Sequence, residues 1–171
     1  MKNKLLIIIA LLSIQAVHVS AQDVLKEIVK SSLAVVNDTT QSKDVRKIAV
    51  FKYDAMTYLR SKVMQPAKLT GKDVNLDEVN ADIKMLNEQA LAMNQYVTLF
   101  RKRLHDAKKK NRNIVVSLFK QATIDHKLFN DDDTEVTLAY YNRNDYPIQF
   151  CLDCDWVKTL AFIRTIDWKD I

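Results

Sequence analysis

The residues best suited to covalent chemistry are the two cysteines of the chain, Cys151 and Cys154, in the stretch FCLDCDW at 150–156. A Cys-x-x-Cys pair does thiol–disulfide work when one thiolate lies at a helix N-terminus, where the backbone dipole lowers its pKa. With Asp153 read as the cap of a helix in LDCDWVKTLAFIRTI, Cys154 would take the first helical position. Two features oppose that role. Asp153 and Asp155 place negative charge on both sides of the thiol, which disfavours the thiolate. A thioredoxin-like domain also needs a βαβ framework around its motif, and no set of strands can be read here. Three roles stay open: a structural pair, closed as a local disulfide or buried as small hydrophobes, a redox pair, or half of a metal site. The structural role is the expectation, and the redox pair is its rival.

A zinc centre needs about four ligands with closed geometry. His105 and His126, the histidines left once a leader is set aside, fall on different predicted helices. The acidic stretch NDDDTE (130–135) lacks the alternating oxygen ligands, central glycine and distal glutamate of a calcium loop. It reads instead as a capping cluster, with Asp133 at a helix start and Glu135 in the first turn. No metal and no cofactor is expected. Nor is there a glycine-rich phosphate loop, a nucleophile elbow or a helical metalloprotease pair. No catalytic residue is therefore assigned.

Two stretches suit binding. RKRLHDAKKKNR (101–112) holds seven Lys or Arg in twelve residues, and Arg101, Lys102, Lys108, Lys109, Lys110 and Arg112 form the candidate surface. Cations at the end of a long helix suit its dipole, so one reading is a solvated pole. The other is a dock for a lipid headgroup, an acidic glycan or an acidic protein face. AYYNRNDYP (139–147) contributes Tyr140, Tyr141, Arg143 and Tyr146, a mixture able to contact a glycan or a protein. It reads equally well as a turn whose tyrosines pack inward.

These residues need elements to hold them, and the composition restricts which. One glycine, Gly71, and two prolines, Pro66 and Pro147, occur in 171 residues. Sheets and barrels need glycine-dependent turns at short intervals, so long helices are the remaining solution. The N-terminus stands apart from them. MKNK is a positive start, 5–14 is an apolar run, and Val19 and Ala21 suit a cleavage site before Gln22. The run is about half the length that a bilayer-spanning helix requires. A cleaved secretory signal at 1–21 is the expectation, leaving one domain over 22–171 that spans no membrane. Loss of Lys2 and Lys4 lowers the formal charge from +5 to +3, too little to argue for a nucleic-acid partner.

Apolar spacing predicts a helix over 23–36, a polar break at 37–44 and a second helix over 43–63. Pro66 and Gly71 mark the next connection. Leu76, Val79, Ile83, Leu86, Ala90, Met93, Val97, Phe100, Leu104 and Ala107 then alternate at three and four residues, a heptad seam. The seam serves as the spine of a bundle, or part of it joins a second copy or a partner protein. Asn113 is the expected cap of a fourth helix running to Leu128. Residues 136–141 lean to helix, 142–147 to turn, and a last helix follows Asp153. The fold class is all-α, an up-and-down bundle of five or six helices with one long central helix.

The stretches SSLAVVNDTTQSKDVRKIAVFKYDAMTYLRSKV, LAMNQYVTLF and AYYN…FCLDCDW, behind such a leader, resemble a group of small exported proteins of Bacteroidales bacteria. The resemblance implies an exported setting in a Gram-negative cell and carries over no catalytic residue.

Overall fold

The computed structural model describes residues 24–64, 74–169 and 171. The expected signal at 1–21, Pro66 and Gly71 lie outside the described residues. Among those described are six α-helices and no strand: α1 (Val24–Asn37), α2 (Lys43–Val63), α3 (Leu76–Asp106), α4 (Arg112–Asp125), α5 (Thr134–Thr137) and α6 (Trp156–Arg164). The fold is an all-α bundle. None of the described helices is long and apolar enough to cross a membrane.

Local chemistry sets the boundaries. Ser42 caps α2 by accepting from the Val45 N–H, and Asn75 caps α3 by accepting from the N–H groups of Asp77 and Glu78. Each bond satisfies a donor that the first helical turn would otherwise leave open. Arg60 and Lys62 close the last turn of α2, where the dipole favours cations. Helix α3 runs 31 residues, about 46 Å at the usual rise per residue. Its seam is buried from Leu86 through Ala90, Met93, Val97 and Phe100, with Tyr96 alongside. The spine reading therefore holds over the middle of α3, which packs against α1, α2, α4 and α6. Leu76, at 69% exposure, lies beyond that packing.

Three boundaries differ from expectation. Asn113 lies inside α4. The chain enters through a 3₁₀ turn at Lys109–Asn111, and Asn111, already near-helical at φ −100°, makes no side-chain cap bond. Helix α4 ends at Asp125, short of Leu128. Residues 138–141 turn rather than continue α5.

The core is an aromatic cluster of Phe51, Tyr96, Phe100, Phe119, Phe150 and Trp156. Edge-on geometry recurs, as in Phe51–Trp156 at 6.1 Å and Tyr96–Phe150 at 5.2 Å. Burial of such side chains contributes about 1.5–3 kcal/mol each. The Tyr96 hydroxyl, inside the cluster, donates to the Phe119 carbonyl at 2.7 Å. Phe150 does not come from a helix. Residues 148–155 are irregular backbone, yet Ile148, Phe150, Cys151, Leu152 and Cys154 are all buried.

Candidate functional site

Irregular backbone inside a core must find hydrogen-bond partners, and FCLDCDW finds them over long sequence distances. The Cys151 N–H donates to Thr123 Oγ1 at 3.0 Å and the Leu152 N–H to the Thr137 carbonyl at 2.9 Å. The Asp155 N–H donates to the His126 carbonyl at 2.8 Å and the Trp156 N–H to Gln89 Oε1 at 2.7 Å. Asp153 is fully buried. Its carboxylate accepts from the N–H groups of Leu128, Phe129 and Asp131 at 3.2, 2.8 and 2.8 Å. That clamp fixes the loop between α4 and α5. Asn130, within it, takes the left-handed conformation at φ 51°, which asparagine tolerates better than most residues.

The clamp overturns the expected cap. Asp155, not Asp153, caps α6 by accepting from the Lys158 N–H at 3.2 Å. Cys154 therefore sits one residue before the cap instead of at the first helical position. Burial opposes ionisation of Asp155. Bonds from the Gln89 amide, the Lys158 N–H and the Lys158 ammonium outweigh it and hold the carboxyl below its ordinary value. Both cysteines are buried free thiols. Burial pushes Cys151 up to about 11, against a bond to the Asp153 carbonyl that pulls it down. Cys154 is raised further, again chiefly by burial, and its Sγ lies 3.2 Å from Thr159 Oγ1. A reactive thiolate needs exposure and positive surroundings. Neither thiol is exposed, and the charge of Lys127, which favours the Cys151 thiolate, is outweighed by burial.

No group of three or more His, Cys, Asp or Glu among the described residues could hold a metal ion. His105 is exposed beside Asp106, whereas His126 lies against the Phe162 ring at 5.4 Å. The acidic stretch is occupied with structure. Asp133 caps α5 by accepting from the Val136 N–H, with Glu135 in the first turn. Asp131 pairs with Lys62 at 2.6 Å and accepts from the Tyr58 hydroxyl at 2.9 Å. The Lys62 bond, first among several, lowers the Asp131 carboxyl to about 2.

The tyrosine turn is largely satisfied from within. Tyr140 is buried, its hydroxyl donating to the Asp54 carboxylate and its ring edge-on to Phe51 at 5.2 Å. Tyr146 lies under two cations, Lys47 at 4.6 Å and Arg143 at 4.5 Å from its centroid. Asp145 pairs with both, at 3.0 and 3.1 Å. Tyr141 lies beneath Lys120 at 4.2 Å. The inward-packed reading describes Tyr140, and the other two rings already have cationic partners.

The basic pole is different. Arg101, Lys102, Lys108, Lys109, Lys110 and Arg112 are all exposed where α3 passes through the 3₁₀ turn into α4. Among the described residues none of the six forms an ion pair or side-chain hydrogen bond, although Arg103 between them stacks on Trp168 at 4.9 Å. Arg101, His105 and Arg112 line a cleft of about 360 Å³ together with Ile48, Phe100, Leu104 and Pro147. Asp44 also lines it. The cleft brings the pole against the end of the tyrosine turn, a meeting that neither stretch announces alone.

No family model, curated protein or solved structure matches the chain. The functional reading rests on this geometry.

Proposed function

We propose that this is an exported protein that acts by binding, and that its basic pole docks on an anionic component of the cell envelope. The observation that carries the reading is the set of six exposed cations at 101–112 that have no partner among the described residues. Several cations elsewhere are paired: Lys62 with Asp131, Lys47 and Arg143 with Asp145, and Lys158 with Asp155. Lys26, Lys30, Lys43 and Lys169 are also exposed without an ion pair among the described residues, but they are scattered, and it is the density of the six that sets the pole apart. Unpaired cations grouped at one end of a bundle attract anions over a Debye length, about 8 Å at physiological salt. Export rests on the leader-like start and places such a surface among anionic lipids and glycans. A thiol–disulfide role for Cys151 and Cys154 is the rival, and their burial and raised pKa values count against it.

The test is cosedimentation with phosphatidylcholine vesicles carrying phosphatidylglycerol. A basic residue near such a surface contributes about 1 kcal/mol, so K108A/K109A/K110A should bind about a hundredfold more weakly. Added salt should weaken the wild type more steeply than the variant. Equal binding by both proteins at low salt would overturn the proposal.

A further inference from the structure

Beside the cleft of the basic pole lies a second one, of about 200 Å³, sharing Val45, Ile48 and Arg101 with it. Its other lining residues include Ser31 and Ser32 of α1 and Lys52 of α2. The volume exceeds the roughly 30 Å³ that one water occupies in the liquid and suits a small oxyanion. Lys52 is half-buried. Its ammonium donates to the neutral Asn94 Oδ1 at 2.6 Å and pairs with no carboxylate among the described residues. Burial, and then the nearby charge of Arg101, hold Lys52 below its ordinary pKa. Removing a cation from water beside another cation is costly unless an anion compensates it. The Ser32 hydroxyl, on a buried residue, likewise makes no hydrogen bond among the described residues. Lys52, Arg101 and Ser32 therefore line one small cleft together.

We infer that the cleft between α1, α2 and α3 binds a phosphate-sized tetrahedral oxyanion, held by Lys52 and Arg101 and oriented by Ser32. Arg101 supplies planar paired donors, Lys52 a compact charge, and Ser32 a short donor. The inference deepens the reading of the pole as an anion-binding surface and rests on it for setting. Its residues other than Arg101 are separate from the pole. The chemistry it names is a phosphate or a phosphomonoester, whether free or at the head of a lipid.

The experiment is an NMR titration of the full chain with inorganic phosphate, at constant ionic strength set by chloride. Saturable shifts are expected at Ser31, Ser32, Lys52 and Arg101. Affinity should fall about tenfold or more in R101M and in K52M, the worth of one charge-assisted hydrogen bond. K84A, on the far half of α3, should titrate as the wild type does. The thermal midpoint of each variant, measured alongside, separates lost binding from lost fold, and R101M removes an exposed side chain. Vesicles of phosphatidylcholine with phosphatidic acid identify the source. Competition for the same shifts means a lipid headgroup, and shifts with inorganic phosphate alone mean a free oxyanion; both uphold the site. Non-saturating shifts spread over the pole, or saturable shifts untouched by R101M and K52M, would overturn it. Loss of the phosphate result with vesicle binding retained removes this site alone. Loss of both removes the docking proposal as well.

Discussion

Residues 150–156 and residues 101–112 both stand out in the sequence as chemistry, and the fold treats them in opposite ways. The first stretch is drawn wholly into the core, where its carboxylates and backbone N–H groups are held by Thr123, the Thr137 carbonyl, Gln89 and the 128–131 backbone. Its thiols are held by the Asp153 carbonyl and Thr159, and of its buried side-chain polar atoms only the Trp156 indole N–H has no partner among the described residues. The second stays outside, its six cations unpartnered among the described residues. Residue type suggested function in both places. Partners separate them: a polar group whose bonds are all made inside serves the fold, whereas one left open can still serve a ligand.

The largest effect that would break this contrast is at Asp153. Asp153→Ala orphans three backbone N–H groups inside the loop. Each unsatisfied buried donor costs about 1–3 kcal/mol. These three are only part-buried, so a loss in the lower half of their sum, about 3–5 kcal/mol, or failure to fold, is expected in urea unfolding. A loss below 1 kcal/mol would mean that the clamp is incidental. Next comes thiol reactivity. Raising Cys151 from 9.0 to about 11 removes about 99% of its thiolate near neutral pH. Labelling of the native protein should be at least a hundredfold slower than in denaturant, with burial slowing Cys154 further. Fast labelling of either thiol would revive the redox rival.

The smallest effect concerns acid. Asp131 is lowered from 3.8 to about 2 in the folded state. A depressed carboxyl contributes stability that is complete above its unfolded value and lost as pH falls through the folded one. Urea midpoints should therefore decline between about pH 4 and about pH 2. Asp131→Asn should flatten that part of the profile, and an unchanged slope would assign the decline to other carboxylates.

The contrast also marks what could be read before the fold was known. The all-α class, the span of α2, the seam of α3 and the Asp133 cap follow from local spacing, which acts within a turn or two. Helix α6 was legible in outline, and Trp156, Leu160 and Ile163 face the core. Its cap was not. Asp153 and Asp155 both precede the same apolar run, and the choice is made by Leu128, Phe129 and Asp131, 22–25 residues away in sequence. Asn113 failed for a related reason, since a 3₁₀ turn had already begun the helix. Tyr140 offers an equal case: its inward course depends on Asp54 and Phe51 from α2. The Lys52 cleft left no local sign, because its residues come from three helices. Basic composition did point to the pole.

The most direct measurement sets the two stretches against each other in one assay. Binding to phosphatidylglycerol-containing vesicles is measured for the wild type, C151A/C154A and K108A/K109A/K110A, with the fold of each checked by circular dichroism. The expected result is that the cysteine variant binds as the wild type does and the lysine variant loses about a hundredfold, at about 1 kcal/mol for each lysine. Full binding by the lysine variant, with binding lost in a folded cysteine variant, would contradict the account.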